Sequence, residues 1–194
     1  MNSSLFLAIN ASAQPGALAF LFAQLMANAP LLLAPALLAG LWFWGRPARR
    51  AGLIATGFGV FAGQAINLSL GQLVYQPRPF MVGIGHTWIA HVADNGFPSD
   101  HATLAWSLGL GLVLTESSRR WGVFACLVGV AAGWARVYLG VHFPFDVVAS
   151  AAAGLLAATL ARTVLPMTRR YVLPQVERVP GLRLSLAARG AGRP

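Results

Sequence analysis

The hydrophobic positions of this chain fall in long blocks almost free of charge. Residues 1–45 contain no Asp, Glu, Lys or Arg, and Ala51 to Tyr75 is a second uncharged run of 25 residues. About 20 apolar residues cross a bilayer as a helix, so these blocks read as membrane spans. Pro30 to Gly45 gives the first, with an aromatic belt at Trp42, Phe43 and Trp44 just before Arg46. Ala51 to Tyr75 gives the second, His101 to Ser118 the third, Trp121 to about Tyr138 the fourth, and Pro144 to about Leu165 the fifth. Ahead of them, Ser4 to Asn28 holds a short apolar piece and then Gly16 to Met26, with Pro15 at its head. That stretch reads as one kinked helix lying along or dipping into the outer leaflet, or as a full crossing. The expected fold is all-α, a polytopic integral membrane helix bundle with about five firm transmembrane helices plus an N-terminal interfacial or sixth helix. Residues 1–165 make one transmembrane domain, and 166–194, rich in Arg, Pro and Gly, a basic cytoplasmic tail on anionic lipid.

Polar positions inside the blocks sharpen this picture. Gln64, Asn67 and Gln72 interrupt the second span at spacings of three and five, which suits one face turned to the protein interior. Gly and Ala are abundant in the last two spans, as close helix packing in lipid requires. Gln76 to Pro98 is a connection of 23 residues, long enough to suggest function, and it carries His86, His91 and Asp94.

Composition agrees with the blocks: 57% of residues are hydrophobic and 10% charged. The net charge of +9 and pI near 11.6 raise the question of nucleic acid. Placement answers it, because the 14 basic residues are all arginines, and Arg46, Arg49, Arg50, Arg119, Arg120 and those from Arg162 onward sit between or after spans. Short basic loops of this kind mark the cytoplasmic side, so a bilayer and not a nucleic acid is the expected partner. The N-terminus has no basic region of a secretory signal and is read as mature sequence. Cys126, alone in a span, excludes a disulfide within the chain. With Arg46 to Arg50 inside, alternation puts Arg78, the Ser99 to His101 segment, the Arg136 to Asp146 segment and all four histidines on the opposite face.

Three segments on that face carry chemistry. Gly96 to His101 reads Gly-Phe-Pro-Ser-Asp-His before an apolar run, a loop closing on a helix N-cap where free N–H groups favour an anion. His101 there is a phosphate ligand, a general acid or a capping neighbour. Arg136 is a charge near the end of a span, either functional or snorkelling to water. His142 and Asp146 are four apart around Pro144, so the carboxylate could fix the imidazole tautomer or simply favour the helix N-terminus. Arg78-Pro79 adds a guanidinium matched to phosphate oxygens at a helix exit.

Arg-Pro, then Pro-Ser-x-His, then Arg followed by five residues, His, three residues and Asp resembles the signature of the type 2 phosphatidic acid phosphatase superfamily, shared with vanadium haloperoxidases. From about Tyr75 to Ala152 the chain is most similar to the bacitracin-resistance undecaprenyl-diphosphate phosphatases of bacteria, with similar Gly-His-Thr-Trp and Phe-Pro-Ser-Asp-His strings. The resemblance implies a bacterial inner-membrane enzyme, its site facing the periplasm or exterior, that hydrolyses undecaprenyl diphosphate to undecaprenyl phosphate and recycles the cell-wall carrier lipid. It implies that His142 becomes a phosphohistidine, that Asp146 orients it, and that His101 protonates the leaving oxygen and then activates water. Arg78, Ser99 and Arg136 would hold the phosphoryl oxygens. No metal and no other cofactor is expected, and a site from His86, His91 and Asp94 fits no strong ligand spacing. Two positions depart from the pattern: Gly71 stands where the superfamily usually has lysine, and Ala135 where it has serine. Gln72 or Gln76 is expected to stand in for the lysine, and His86 and His91 to shape the loop and contact the second phosphate. A lipid monoesterase or phosphotransferase with the same centre is the enzymatic alternative; a non-catalytic lipid-binding or transport protein is the other.

Overall fold

In a computed structural model, residues 1–182 are described and are mainly helical. Helix α1 is Asn2–Ile9, α2 Ala17–Trp44, α3 Arg50–Leu73, α4 Asp100–Leu114, α5 Arg119–Tyr138 and α6 Pro144–Met167. A π-helical turn at Thr168–Val172 and a short α7 at Leu173–Val176 follow. Among the described residues the one β-bridge pairs Pro77 with Asn95. Four helices, α2, α3 with the turn before it, α5, and α6 with its extension, are long and apolar enough to cross a membrane.

α4 sits in the middle. Its 15 residues rise about 22 Å, less than a lipid-facing span needs. It can be short because α2, α3, α5 and α6 all pack on it, and no residue of it after Asp100 is exposed. Glycines let those neighbours close in: a Cβ on Gly109 would lie 2.8 Å from the Cys126 nitrogen, and one on Gly122 2.7 Å from the Gly109 oxygen. Backbone contact of this kind substitutes for a hydrophobic driving force that lipid does not provide. The outer helices turn apolar side chains such as Leu18, Leu25, Leu32, Phe61, Leu127 and Leu156 outward.

The N-terminal region differs from the expectation. Instead of one kinked helix over 4–28 followed by a span from Pro30, the chain breaks between Ile9 and Ala17, and α2 then runs through Pro30 and Pro35 without a stop. Each proline deprives one upstream carbonyl of its partner. Within a membrane span an unpaired carbonyl is costly because no water replaces the lost bond, and proline is tolerated where neighbouring groups or local adjustment of the helix re-satisfy it. α1 spans about 12 Å, too little for a crossing. It docks on the end of α5 and α6: Phe6 is fully buried, edge-on to Phe143 at 5.3 Å, and Asn10 donates to the Tyr138 carbonyl at 3.1 Å.

At the other boundary the helical path continues past Leu165 to Val176; of the expected tail, 183–194 lie outside the described residues. Of the polar side chains expected on the inner face of α3, Gln64 and Asn67 turn inward, whereas Gln72, near the helix end, is exposed. Asn67 accepts from the Thr103 hydroxyl at 2.8 Å and Gln64 donates to the Asp100 carbonyl at 3.4 Å, so α3 fixes where α4 begins. Such bonds between membrane helices average about 0.6 kcal/mol each, enough to set a register but not to hold a bundle.

Candidate active site

The connection between α3 and α4 is held by one side chain that the sequence did not single out. Asn95 donates to the carbonyls of Gly71 (2.6 Å) and Val74 (2.7 Å), which the end of a helix leaves without partners. Its Oδ1 accepts from the backbone nitrogens of Gln76 (2.9 Å) and Phe97 (3.0 Å). All four bonds of one amide thus fold the loop back on α3. Arg78 is carried inward as a result, only 4% exposed.

Arg78 donates Nε to Asp94 Oδ1 (2.8 Å), Nη2 to the Asn95 carbonyl (3.2 Å) and Nη1 to the Val141 carbonyl (3.0 Å). The same Nη1 lies 3.2 Å from His142 Nε2. A guanidinium has no acceptor, so Nε2 must be the unprotonated nitrogen of that ring. The opposite nitrogen, Nδ1, faces the Gly96 carbonyl at 2.9 Å and donates to it. The tautomer is therefore fixed, with a lone pair on Nε2. Burial, reinforced by the Arg136 and Arg78 charges, holds the His142 imidazole well below its usual range and hence neutral.

His142 owes its place to the turn between α5 and α6. Gly140 adopts φ +86°, and a Cβ there would run into the His86 carbonyl. Only glycine meets both demands. Pro144 opens α6, and Asp146 accepts from the Phe143 nitrogen at 2.8 Å, capping the first turn. The Asp146 Oδ2 stands 3.6 Å from His142 Nδ1, within ion-pair range but beyond a hydrogen bond. The direct partner of the imidazole is the backbone of Gly96, where the sequence had pointed to the carboxylate.

Arg136, 2% exposed, brings its Nη2 to 3.0 Å from His91 Nε2 and 3.5 Å from His142 Nε2. It makes no ion pair among the described residues, and its Nε has no partner. Ser99 is the N-cap of α4 and completely buried, yet its hydroxyl caps nothing and is also unpartnered. Ser99 is pinned through its backbone, by the Ser150 hydroxyl (2.8 Å) and the Asp146 carbonyl (3.4 Å). A buried guanidinium without a carboxylate and a buried hydroxyl without a bond are both costly. A tetrahedral anion in contact with both would remove the two penalties at once.

His101 lies in the first turn of α4 with Nδ1 2.8 Å from Asp100 Oδ1, which leaves its Nε2 unengaged. Of the loop histidines, the fold brings in His91, whose ring centre is 6.3 Å from that of His142. Burial lowers its pKa, with the two arginine charges acting in the same sense. His86 points elsewhere: its backbone is clamped by Asn10 at 2.7 and 2.9 Å, and its exposed ring faces Trp88. His86, His91 and Asp94 thus form no joint ligand set, and Asp94 is engaged by Arg78. Gln76 works through its backbone, accepting from the Gly96 nitrogen at 2.8 Å. Gln72 borders a cleft of about 420 Å3 that also reaches Gly71, Arg78, Asp94 and Asp100.

The sequence profile of the PAP2 superfamily matches residues 52–170, a stretch that contains all of this machinery. The chain belongs to the PAP2 superfamily. Among curated relatives, Escherichia coli (strain K12) YbjG, provisionally named an undecaprenyl-diphosphatase, is 32% identical over 84% of this chain and 82% of its own. The undecaprenyl-diphosphatase BcrC of Bacillus subtilis (strain 168) is 29% identical over 70% of this chain and 69% of its own. The crystal structure of Aquifex aeolicus LpxE matches the fold with a TM-score of 0.69 at 25% identity, covering 84% of this chain and 94% of that one. The resemblance drawn from the three-part motif holds, and the protein is a multi-pass membrane phosphatase of the PAP2 superfamily.

Proposed function

We propose that this PAP2 phosphatase hydrolyses undecaprenyl diphosphate to undecaprenyl phosphate through a phosphohistidine, at a site on the outer face of a bacterial inner membrane. The observation that carries the mechanism is the setting of His142. Its Nε2 lone pair lies 3.2 Å from Arg78 Nη1 and 3.5 Å from Arg136 Nη2, while Gly96 holds Nδ1–H. Nε2 attacks the terminal phosphorus as the bridging P–O bond breaks, and polyprenyl phosphate leaves with both bond electrons. Arg78, Arg136 and the free Ser99 hydroxyl bind the equatorial oxygens, stabilising charge where it develops. His101 supplies a proton to the leaving oxygen when one is needed. It then takes a proton from water, which attacks phosphorus, releases inorganic phosphate and restores His142. Asp146 stabilises the N-phosphorylated ring at a distance.

The lipid assignment rests on the names of YbjG and BcrC and on a protein built to keep its site at the bilayer surface. The outward placement rests on arginines: Arg46, Arg49, Arg119 and Arg120 gather at the end of the bundle away from His142. Phosphate release from purified protein given a panel of lipid mono- and diphosphates tests the substrate. The diphosphate should be turned over at least about ten times more efficiently than a lipid monophosphate ester, and the reverse order would assign the chain to the monoesterases. His101→Ala should widen the gap, because an alkoxide needs the proton and a phosphate leaving group hardly does.

A further inference from the structure

A cavity of about 600 Å3 opens at the end of the bundle opposite His142, between the C-terminus of α2 and the N-terminus of α5. The run of α5 from Arg120 to Arg136, about 24 Å, separates it from the catalytic end. Leu41, Trp44 and Trp121 give it apolar walls, and Arg46, Arg49 and Arg120 line it as exposed cations.

Charge bookkeeping at this end is one-sided. Its two acids are already committed, Glu177 to Arg50 at 3.3 Å and Glu116 to Arg162 at 3.6 Å. Among the described residues Arg46, Arg49 and Arg120 make no ion pair. Three unpaired guanidiniums around one cavity favour an anion, and planar guanidinium is matched to phosphate oxygens. Apolar walls and two tryptophans at the ends of two spans are the setting of a membrane interface. A soluble anion would leave those walls wet, whereas a lipid covers walls and cations together.

We propose that this cavity is a binding site for an anionic phospholipid, separate from the substrate site, with the phosphate diester among Arg46, Arg49 and Arg120 and the first acyl carbons against Leu41, Trp44 and Trp121. Basic pockets between membrane helices bind anionic headgroups in this way. The lining holds no histidine or carboxylate that could activate the Ser118 hydroxyl or act as a general acid, and the site therefore holds the lipid intact.

The test uses the full chain in neutral detergent, with phosphatidylglycerol and phosphatidylcholine of equal acyl length as probes and native mass spectrometry as readout. The wild type is expected to retain one phosphatidylglycerol in preference to phosphatidylcholine. Arg46→Gln/Arg49→Gln/Arg120→Gln should weaken that adduct by about 5-fold per arginine, roughly 100-fold together at low salt. Arg169→Gln/Arg170→Gln/Arg178→Gln removes equal charge from residues outside the cavity and should keep it. Equal retention of both lipids, equal weakening in both triple variants, or displacement of the adduct by millimolar inorganic phosphate would overturn the proposal. A second readout does not depend on the triple variant folding: brominated phosphatidylglycerol should quench tryptophan fluorescence at the first equivalent in wild type and not in Trp44→Phe/Trp121→Phe. Unchanged quenching in that variant would also refute the site.

Discussion

Ser99→Ala separates a residue that builds the fold from one that serves a ligand. A serine at an N-cap normally accepts from the first turn, and its loss costs about 1 kcal/mol of stability. Here the hydroxyl is fully buried and bonds nothing, so no cap is lost. An unsatisfied buried polar group carries a penalty of about 1–3 kcal/mol. Relieving it is offset in part by the small void left behind, so the apo variant should be as stable as wild type or more stable by up to about 1 kcal/mol. Activity should move the other way. Losing one preorganised donor to the transferred phosphoryl costs about 10²- to 10³-fold. Thermal melting in detergent, with and without vanadate as a trigonal-bipyramidal mimic, and kcat/KM on the lipid diphosphate measure the two sides. The expected pattern is an unchanged or raised melting temperature, a smaller vanadate-induced rise and a large fall in kcat/KM. A lowered melting temperature with near-normal turnover would make Ser99 an ordinary cap and refute the reasoning.

Asp146→Asn should cost about 10- to 100-fold in kcat/KM, as lost orienting contacts do, because Gly96 at 2.9 Å keeps the His142 tautomer. A loss near the about 10⁴-fold seen when a wrong tautomer forms would move that role to the carboxylate. In pH profiles, protonation of His142 in the free enzyme would abolish the nucleophile, and burial with two guanidiniums places that event below the usual imidazole range. In a His101→Ala background, corrected for substrate ionisation, kcat/KM should therefore stay level from pH 7 to 6, and an acid limb near 6.5 would contradict the assigned environment. A cysteine placed at Ala93, exposed in the α3–α4 connection, in a protein lacking Cys126, should react with an impermeant thiol reagent on intact cells; labelling only after the membrane is broken would reverse the orientation.

Much of this molecule is legible without coordinates because lipid imposes so few choices. α3 and α5 begin and end within a few residues of the apolar blocks that announced them. The misplaced helix ends come from proline and from length: Pro30 and Pro35 do not end α2, and the 15-residue α4 is shielded by its neighbours from the lipid that would demand the longer span expected over His101 to Ser118. At the site, Arg78, Ser99, His101, Arg136 and His142 were visible as residue types at helix ends. What fixes the imidazole was not, since the Gly96 carbonyl is a backbone group and no side chain advertises it. His86 and His91 share one loop and look equivalent in sequence, and only the Asn95 and Asn10 clamps decide which ring reaches Arg136. Asn95 and Ser150 did leave a signal, an asparagine directly before Gly96 and the one serine of an alanine-rich span, one turn after Asp146.

The central claim is that His142 Nε2 forms a bond to phosphorus, and trapping that bond tests it most directly. Rapid quench of the purified enzyme with diphosphate labelled at the terminal phosphate should yield an acid-labile, base-stable protein adduct. The adduct should form in a burst, accumulate further in His101→Ala where water activation is slow, and map to His142. It should be absent from His142→Ala, which should also lose turnover by several powers of ten. A labelled adduct surviving in His142→Ala, or no adduct in His101→Ala while single-turnover cleavage proceeds, would contradict the account.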